Sequence, residues 1–195
     1  KYISTDDANL DTYRIGVSSQ VMGQVTRLYV MEGDTVRQGD LLLTLDDSIA
    51  LASVSQAEAQ REQQLAQLAS RRVSLVTARK ELNIARLTEQ LNLENYQRAK
   101  AQYERNVIPL EKYQDVEQAW KVSKLQTEIA RDRFPAVEAE LKAAEAAIRA
   151  VEATIASARA ELGYYRVVAP ADGIVGKRWV LPGDMLEAGQ TAFTL

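Results

Sequence analysis

Val30-Met31-Glu32-Gly33-Asp34-Thr35-Val36-Arg37-Gln38-Gly39-Asp40 and Val180-Leu181-Pro182-Gly183-Asp184-Met185-Leu186-Glu187-Ala188-Gly189-Gln190 are two versions of one phrase at opposite ends of the chain. Widened at the same offset of 150, the match pairs residues 17–45 with 167–195, 29 positions without a gap. Nine positions are identical: Val17/Val167, Gly23/Gly173, Val25/Val175, Val30/Val180, Gly33/Gly183, Asp34/Asp184, Gly39/Gly189, Thr44/Thr194 and Leu45/Leu195. Others are conservative, among them Arg27/Lys177, Tyr29/Trp179, Met31/Leu181 and Val36/Leu186. A repeat this regular implies two copies of one supersecondary unit. Each reads as short strands with turn positions at Gly23, Gly33-Asp34 and Gly39, and at Gly173, Gly183-Asp184 and Gly189; at Glu32-Gly33-Asp34 glycine can supply positive φ, and Gly39 or Gly189 introduces the last strand. One copy has too little apolar surface for a stable sheet. Two copies packed face to face bury one small sandwich core. Head and tail must therefore meet in space.

The segment between them reads as helix. None of the nine glycines falls between Gly39 and Gly163, and proline occurs there only at Pro109 and Pro135. Ala, Glu, Gln, Leu, Arg and Lys, the strong helix formers, dominate. From Tyr113 through Val116, Trp120, Ser123, Thr127, Ala130, Phe134, Val137, Leu141, Ala144, Ile148, Val151, Ile155 and Ala158 to Leu162, the spacing alternates 3 and 4 without a slip. That is the seam of a left-handed coiled coil. Before it, Leu68, Leu75, Leu82, Tyr96 and Tyr103 share a looser stripe interrupted by Glu89, with Ala78, Ala85 and Ala99 beside it. Arg72, Arg79 and Arg86 form a parallel basic stripe, expected to be a solvated face supplying interhelical ion pairs. Pro135 is expected to kink or locally break the second helix.

If residues 46 and 164 are neighbours, the intervening chain goes out and returns over equal lengths. The halfway point is near residue 105, where Asn106-Val107-Ile108-Pro109 supplies the one plausible turn, with Pro109 suited to start the returning helix. The expected fold is therefore α+β: a long antiparallel α-helical hairpin inserted between the two halves of a β-sandwich. Each helix of nearly 60 residues would extend about 90 Å. Residues 17–46 with 164–195 form the split sandwich, 47–163 the hairpin with its tip near 106–109, and 1–16 a leading segment.

Composition excludes several function classes. The chain of 195 residues carries a net charge of −3, against nucleic-acid binding by phosphate neutralisation. It has neither Cys nor His, which removes thiol nucleophiles, imidazole bases and the usual zinc ligands. Asp46-Asp47, ahead of a long helix, reads as an N-terminal cap rather than a catalytic pair. Asp6-Asp7 has no companion at metal-ligand spacing, and no Lys-Ser/Thr follows the Gly-Asp turns to make a phosphate loop. No catalytic residues, metal or cofactor are expected. No apolar run approaches the roughly 20 residues that span a bilayer. Opening on Lys1 without a leader, the chain is expected to be a processed form.

The repeat also carries a resemblance. Val21-Met22-Gly23-Gln24-Val25, Glu32 to Leu42 and Leu45-Asp46 resemble the first lipoyl half-motif of periplasmic adaptor proteins, the HlyD-like membrane fusion proteins. Ala169-Pro170-Ala171-Asp172-Gly173-Ile174-Val175 and Pro182-Gly183-Asp184 resemble the second half-motif, and Ser4-Thr5-Asp6-Asp7-Ala8 resembles the segment after the membrane anchor in EmrA-type adaptors. The resemblance implies a lipoyl-like sandwich, a homo-oligomeric ring, and a β-barrel domain to which Tyr2 to Ile15 would give the leading strand. It implies a periplasmic location with an N-terminal inner-membrane anchor outside this sequence. Its implied function is to link an inner-membrane transporter to a TolC-like outer-membrane channel for multidrug efflux. The opening segment favours a major-facilitator transporter; an ABC-driven type I protein-secretion system is the alternative. Family members that dock to TolC-like channels carry an Arg, a Leu four residues later and a Ser seven beyond that. Those positions are Arg98, Gln102 and Pro109 here, so only the first matches. With Asn106, Val107 and Ile108 they form the candidate docking tip.

Two other classes compete. A lipoyl or biotinyl carrier needs a modifiable Lys at the junction after Leu45-Asp46-Asp47, yet no Lys occurs from Asp40 to Arg79. A coiled-coil scaffold would explain the heptads and leave the flanking repeat unexplained.

Overall fold

The computed structural model describes residues 14–195. The expectation that Tyr2 to Ile15 lead a β-barrel, and the resemblance at Ser4 to Ala8, fall almost wholly outside the described residues. Ile15, which is described, exchanges two backbone hydrogen bonds with Leu195, each of 2.9 Å. The order of elements is β1 (Gly16–Ser18), β2 (Gly23–Leu28), β3 (Thr35–Val36), β4 (Leu41–Leu45), α1 (Ser48–Glu104), α2 (Leu110–Gly163), β5 (Arg166–Val168), β6 (Gly173–Ile174), β7 (Met185–Leu186) and β8 (Thr191–Thr194). The chain divides into two compact units, one of residues 1–58 with 154–195 and one of residues 59–153.

In the first unit the strands obey the repeat: β1, β2, β3 and β4 begin 150 residues before β5, β6, β7 and β8. β2 pairs with β4 inside the first copy, and every other strand pairing crosses between the copies. β1 pairs with β8 and β4 with β5; β2 pairs with β7 and β3 with β6, all antiparallel. The halves are interleaved rather than stacked as two separate sheets. Their turns are locked reciprocally. Gly33 N–H donates to Val175 O and Gly183 N–H to Val25 O, both at 2.8 Å; Val175 N–H returns a bond to the Asp34 carbonyl and Val25 N–H one to that of Asp184. The Gly39–Ala169 and Gly189–Ser19 backbone bonds repeat the exchange at the next turn. Each bond contributes about 1 kcal/mol net, and every one of them requires both ends of the chain.

The turns explain their sequence. Gly33, Gly39, Gly183 and Gly189 all have φ between 84° and 94°, a region that costs an L-residue roughly 1–2 kcal/mol. The Asp34 and Asp184 carboxylates accept the N–H of Met31 and Leu181 at 2.7 and 2.8 Å, closing each turn from inside. Gly23 and Gly173 differ from expectation. They open β2 and β6 rather than form turns. At Gly23 the requirement is closeness, because a Cβ there would stand 3.2 Å from Leu45 Cβ.

Beneath the turns lies one core to which both copies contribute. Val25 and Val175 are each 1 % exposed, and Leu42, Leu43, Leu186, Ala192 and Phe193 are fully buried around them. The helices leave this unit as the two strand repeats demand: Leu45 N–H bonds Tyr165 O at 2.8 Å, which holds the start and end of the insertion together. Asp46 starts α1 by accepting both the N–H and the hydroxyl of Ser48, and these bonds hold its carboxyl below the usual range. Asp47 contributes only its carbonyl, to Leu51 N–H.

The heptad reading holds in α2, where every seam position from Tyr113 to Leu162 is buried or half-buried. On α1 the seam begins earlier than the sequence suggested, with Ala50, Val54 and Ala57 buried ahead of Leu68. α2 is unbroken through Pro135. The interhelical ion pairs are Arg71–Glu140, Arg133–Glu81 and Arg159–Glu58. Arg72, Arg79 and Arg86 are exposed and take no part in them, correcting the expectation for that stripe. Flank alone does not decide it, because Glu58 shares their heptad stripe and pairs with Arg159.

Because Gly33 and Gly183 have open space where a Cβ would go, Gly33→Ala and Gly183→Ala should each destabilise the strand unit by about 1–2 kcal/mol through φ alone. Urea denaturation should find the two losses equal within error. A neutral Gly33→Ala would contradict the reciprocal-turn account.

Candidate functional site

The hairpin tip is built by how α1 stops. Asn106 has φ 58°, the left-handed region that asparagine tolerates better than most residues. Asn106 N–H donates to Tyr103 O at 2.8 Å and Val107 N–H to Gln102 O at 2.9 Å. These two bonds define a Schellman cap, which satisfies carbonyls the helix would otherwise leave open. Such a cap usually tucks its following apolar residue against the helix. Val107 instead remains 67 % exposed, as Leu110 does at 50 %. Pro109 then supplies the carbonyl for Tyr113 N–H at 3.3 Å, so it caps α2 one residue before the first helical position. The tip is a tightly determined backbone that holds apolar side chains out in water.

An aromatic ladder stiffens the seam just below. Tyr103 stacks on Tyr113 with ring centres 5.1 Å apart, and Tyr96 stacks on Trp120 at 4.9 Å. The Tyr96 and Tyr113 hydroxyls lie 3.2 Å apart and share a hydrogen bond. That bond first, and burial second, push the Tyr113 phenol up to about 12. Offset aromatic pairs add to ordinary apolar burial, so the two helix ends are registered by side chains as well as by the turn.

Of the predicted docking residues, Arg98, Gln102 and Ile108 line one cleft of about 440 Å³, alongside Lys112, Asp115 and Val116. Asn106, Val107 and Pro109 belong to the turn and do not line it. The Arg98 guanidinium is held by Asn95 Oδ1 at 2.7 Å and by the Glu94 carbonyl at 3.4 Å. Gln102 and Pro109, the two departures from the family motif, both act here through their backbone carbonyls as caps. The sequence reading missed Lys112, Asp115 and Leu110. Lys112 and Asp115 meet Arg98 only because one cleft spans both helices, which the register of the two helices decides. The exposure of Leu110 has no sequence signal either, because it depends on the turn geometry.

The predicted turn glycines and Asp34 and Asp184 lie in the strand unit, where every interaction they make is structural. Among the described residues no three acidic side chains are grouped to hold a metal ion, and no helix is long and apolar enough to cross a membrane.

Comparison with known proteins gives three findings. A family model described as RND MFP, barrel-sandwich hybrid domain, matches residues 14–195. The multidrug resistance protein MdtA of Escherichia coli O45:K1 (strain S88 / ExPEC) is 29 % identical over 177 residues, covering 91 % of this chain and 32 % of that protein. The multidrug export protein EmrA of Escherichia coli (strain K12) is 24 % identical over 186 residues, covering 93 % and 48 %. The chain thus spans about a third to a half of the length of these curated relatives. Among solved structures, that of the periplasmic adaptor protein EmrA superposes with a TM-score of 0.51 at 21 % identity, covering 94 % of this chain and 72 % of that one. The likeness is one of fold.

The Tyr96–Tyr113 hydrogen bond makes a pH prediction. Tyr113 binds its proton more tightly folded than unfolded, so its contribution is complete below pH about 10, the unfolded value. It is lost as pH rises from there through about 12. Helicity of the wild-type chain should therefore fall faster across that interval than helicity of Tyr113→Phe. Superimposable alkaline titrations would contradict the shared hydroxyl bond.

Proposed function

The chain belongs to the membrane fusion protein family through its barrel-sandwich hybrid domain, and on that premise we propose that it is a periplasmic adaptor subunit of a tripartite multidrug export system. In this reading an inner-membrane transporter supplies the energy and a TolC-like outer-membrane channel receives the tip. An N-terminal segment anchors the adaptor to the inner membrane, and several copies form a ring around the conduit. The work of the chain is geometric: it binds, spaces and aligns, and it transfers no chemical group.

The observation that carries the proposal is the tip. A Schellman-capped turn that leaves Val107 and Leu110 exposed, with Arg98 and Lys112 lining a cleft together with Ile108 of the turn, is suited to docking. Two relatives named for multidrug resistance and export support the choice of cargo class. The assignment of 17–46 with 164–195 to the conduit-forming body and of 47–163 to the reaching hairpin is part of the same proposal. For the transporter, the Ser4 to Ala8 resemblance favours a major-facilitator partner, whereas the family description names the RND class. An ABC-driven secretion partner is a third outcome of the same pull-down, which co-purification from membranes would decide.

Arg98→Glu and Val107→Asp change exposed side chains whose loss leaves the cap bonds intact. Each should abolish resistance in an efflux-deficient host at unchanged protein level and unchanged helicity. Wild-type resistance in both variants would remove the tip from the mechanism.

A further inference from the structure

One exposed face of the strand unit keeps its chemistry in both copies of the repeat, although none of its side chains belongs to the core. At other outward positions the copies differ in kind: Met22 corresponds to Asp172, Gln24 to Ile174, Thr35 to Met185 and Arg37 to Glu187. Three outward positions agree. Arg27, Tyr29 and Met31 correspond to Lys177, Trp179 and Leu181, so each copy presents a cation, an aromatic ring and a large aliphatic side chain in the same order. All six are exposed, Tyr29 at 48 % and Trp179 at 56 %. In the first copy the register shift between Val25 and Arg27 sets this alternation, for Val25 is buried while Arg27, Tyr29 and Met31 face out.

The reciprocal backbone bonds set the two triplets on either side of one opening. Residues 25–33 and 175–183 run antiparallel, tied at one end by Val25 to Gly183 and Asp184, and at the other by Gly33 and Asp34 to Val175. By that register Tyr29 stands opposite Trp179 at the midpoint, Arg27 opposite Leu181, and Met31 opposite Lys177. Between the tied ends lies a cleft of about 330 Å³, lined by residues 26–31 on one side and by Arg178 and Pro182 on the other. Among the described residues the ring-on-ring contacts are all in the hairpin, so no other ring covers Tyr29 or Trp179. The charges here differ in how they are held. The carboxylates of Glu32, Asp34 and Asp184 accept the backbone N–H of Arg178, Met31 and Leu181. Arg27, Lys177 and Arg178 enter no ion pair among the described residues. The Lys177 ammonium instead rests 4.1 Å from the centre of the Trp179 ring. An arriving anion therefore meets uncommitted cations, whereas an arriving cation meets carboxylates already engaged in charge-assisted bonds.

We propose that this cleft binds a small aromatic anion. The ligand's ring lies over the opening against Tyr29 and Trp179, and its anionic group takes the guanidinium of Arg27 or the ammonium of Lys177. The exposed cation–π contact of Lys177 with Trp179 is weak, and it is exchanged for a charge-assisted one with the ligand. Met31 and Leu181 close the two ends with apolar surface, as a small-molecule site with few polar groups requires. Both aromatic side chains sit at the midpoint, so one chain holds one ligand. The two cations stand at opposite corners, so the ligand can enter in either of two orientations. The site is built wholly within the strand unit and does not depend on the adaptor reading or on the tip.

Equilibrium dialysis of the full chain against 2-naphthalenesulfonate tests the proposal, and one saturable site per chain is expected. Trp179→Ala, and Arg27→Glu combined with Lys177→Glu, should each weaken binding at least tenfold. Tyr29→Phe keeps the ring and should bind within twofold of wild type, as should Val73→Ala on the hairpin. Every change is at an exposed side chain, and a urea midpoint equal to that of wild type checks that each variant is folded. 2-Naphthylmethylammonium, which has the ring with the opposite charge, and methanesulfonate, which has the charge without the ring, should pass freely. Equal retention of the cation, unchanged binding by Trp179→Ala, or no saturable binding at millimolar ligand would each overturn the proposal. Binding that disappears as the chain is concentrated would mean that a second copy covers the face, and would overturn it too. None of these outcomes uses a transport assay, so failure here leaves the adaptor reading standing, and loss of export in the tip variants leaves this site standing.

Discussion

The eight backbone hydrogen bonds that tie residues 19–40 to residues 169–190 are the constraint from which the rest follows. Each bond has a counterpart 150 residues away, and none can form within one half alone. Gly33 cannot be satisfied without Val175, nor Gly183 without Val25. The small core of thirteen buried residues adds apolar burial, but that burial is also shared between the copies. Apart from the β2–β4 pairing inside the first copy, the strand pairings join residues of very high sequence separation. Closing so long a loop carries an entropic cost that grows only slowly with length, so a long insertion between β4 and β5 is thermodynamically tolerable. It must, however, return to where it left.

That requirement shapes the helices. Two helices of 57 and 54 residues give nearly equal outward and return paths, and a continuous seam on each prevents them from parting. Neither helix is strongly amphipathic in composition, since alanine fills many seam positions. Close approach of alanine-rich stretches, three interhelical ion pairs of modest individual worth and the aromatic ladder set their register. The ladder lies near the tip, where a turn of only a few residues would otherwise have to fix the register unaided. Asn106 completes the arrangement by accepting a backbone conformation that leaves Val107 outside.

How much of this was legible in the sequence depended on whether the cause was local. Glycines needed for positive φ at 33, 39, 183 and 189 are visible as letters, and their equal spacing revealed the repeat. The α2 seam was visible because its apolar residues never slip phase. The α1 seam from Ala50 to Ala57 was not, because alanine and glutamine blur the contrast between faces. Arg72, Arg79 and Arg86 looked like the pairing stripe because they are regularly spaced. Pairing instead fell to Arg71, which reaches Glu140 from the seam's margin, a detail fixed by partner position. Gly23 was misassigned to a turn because closeness to Leu45 leaves no local mark. At the tip, the place of the turn followed from equal path lengths, while the cleft under Arg98 required both helices in register.

The central claim is that residues far apart in sequence are one folded body. Gln24 and Met185 face each other as an exposed antiparallel pair on β2 and β7, with Cα atoms roughly 5 Å apart. Spin labels at Gln24→Cys and Met185→Cys, in a chain free of other thiols, should show strong dipolar broadening that persists when the labelled chain is diluted into an excess of unlabelled chain. A spectrum equal to the sum of the two singly labelled proteins would mean that the two ends do not interleave, and would contradict the account.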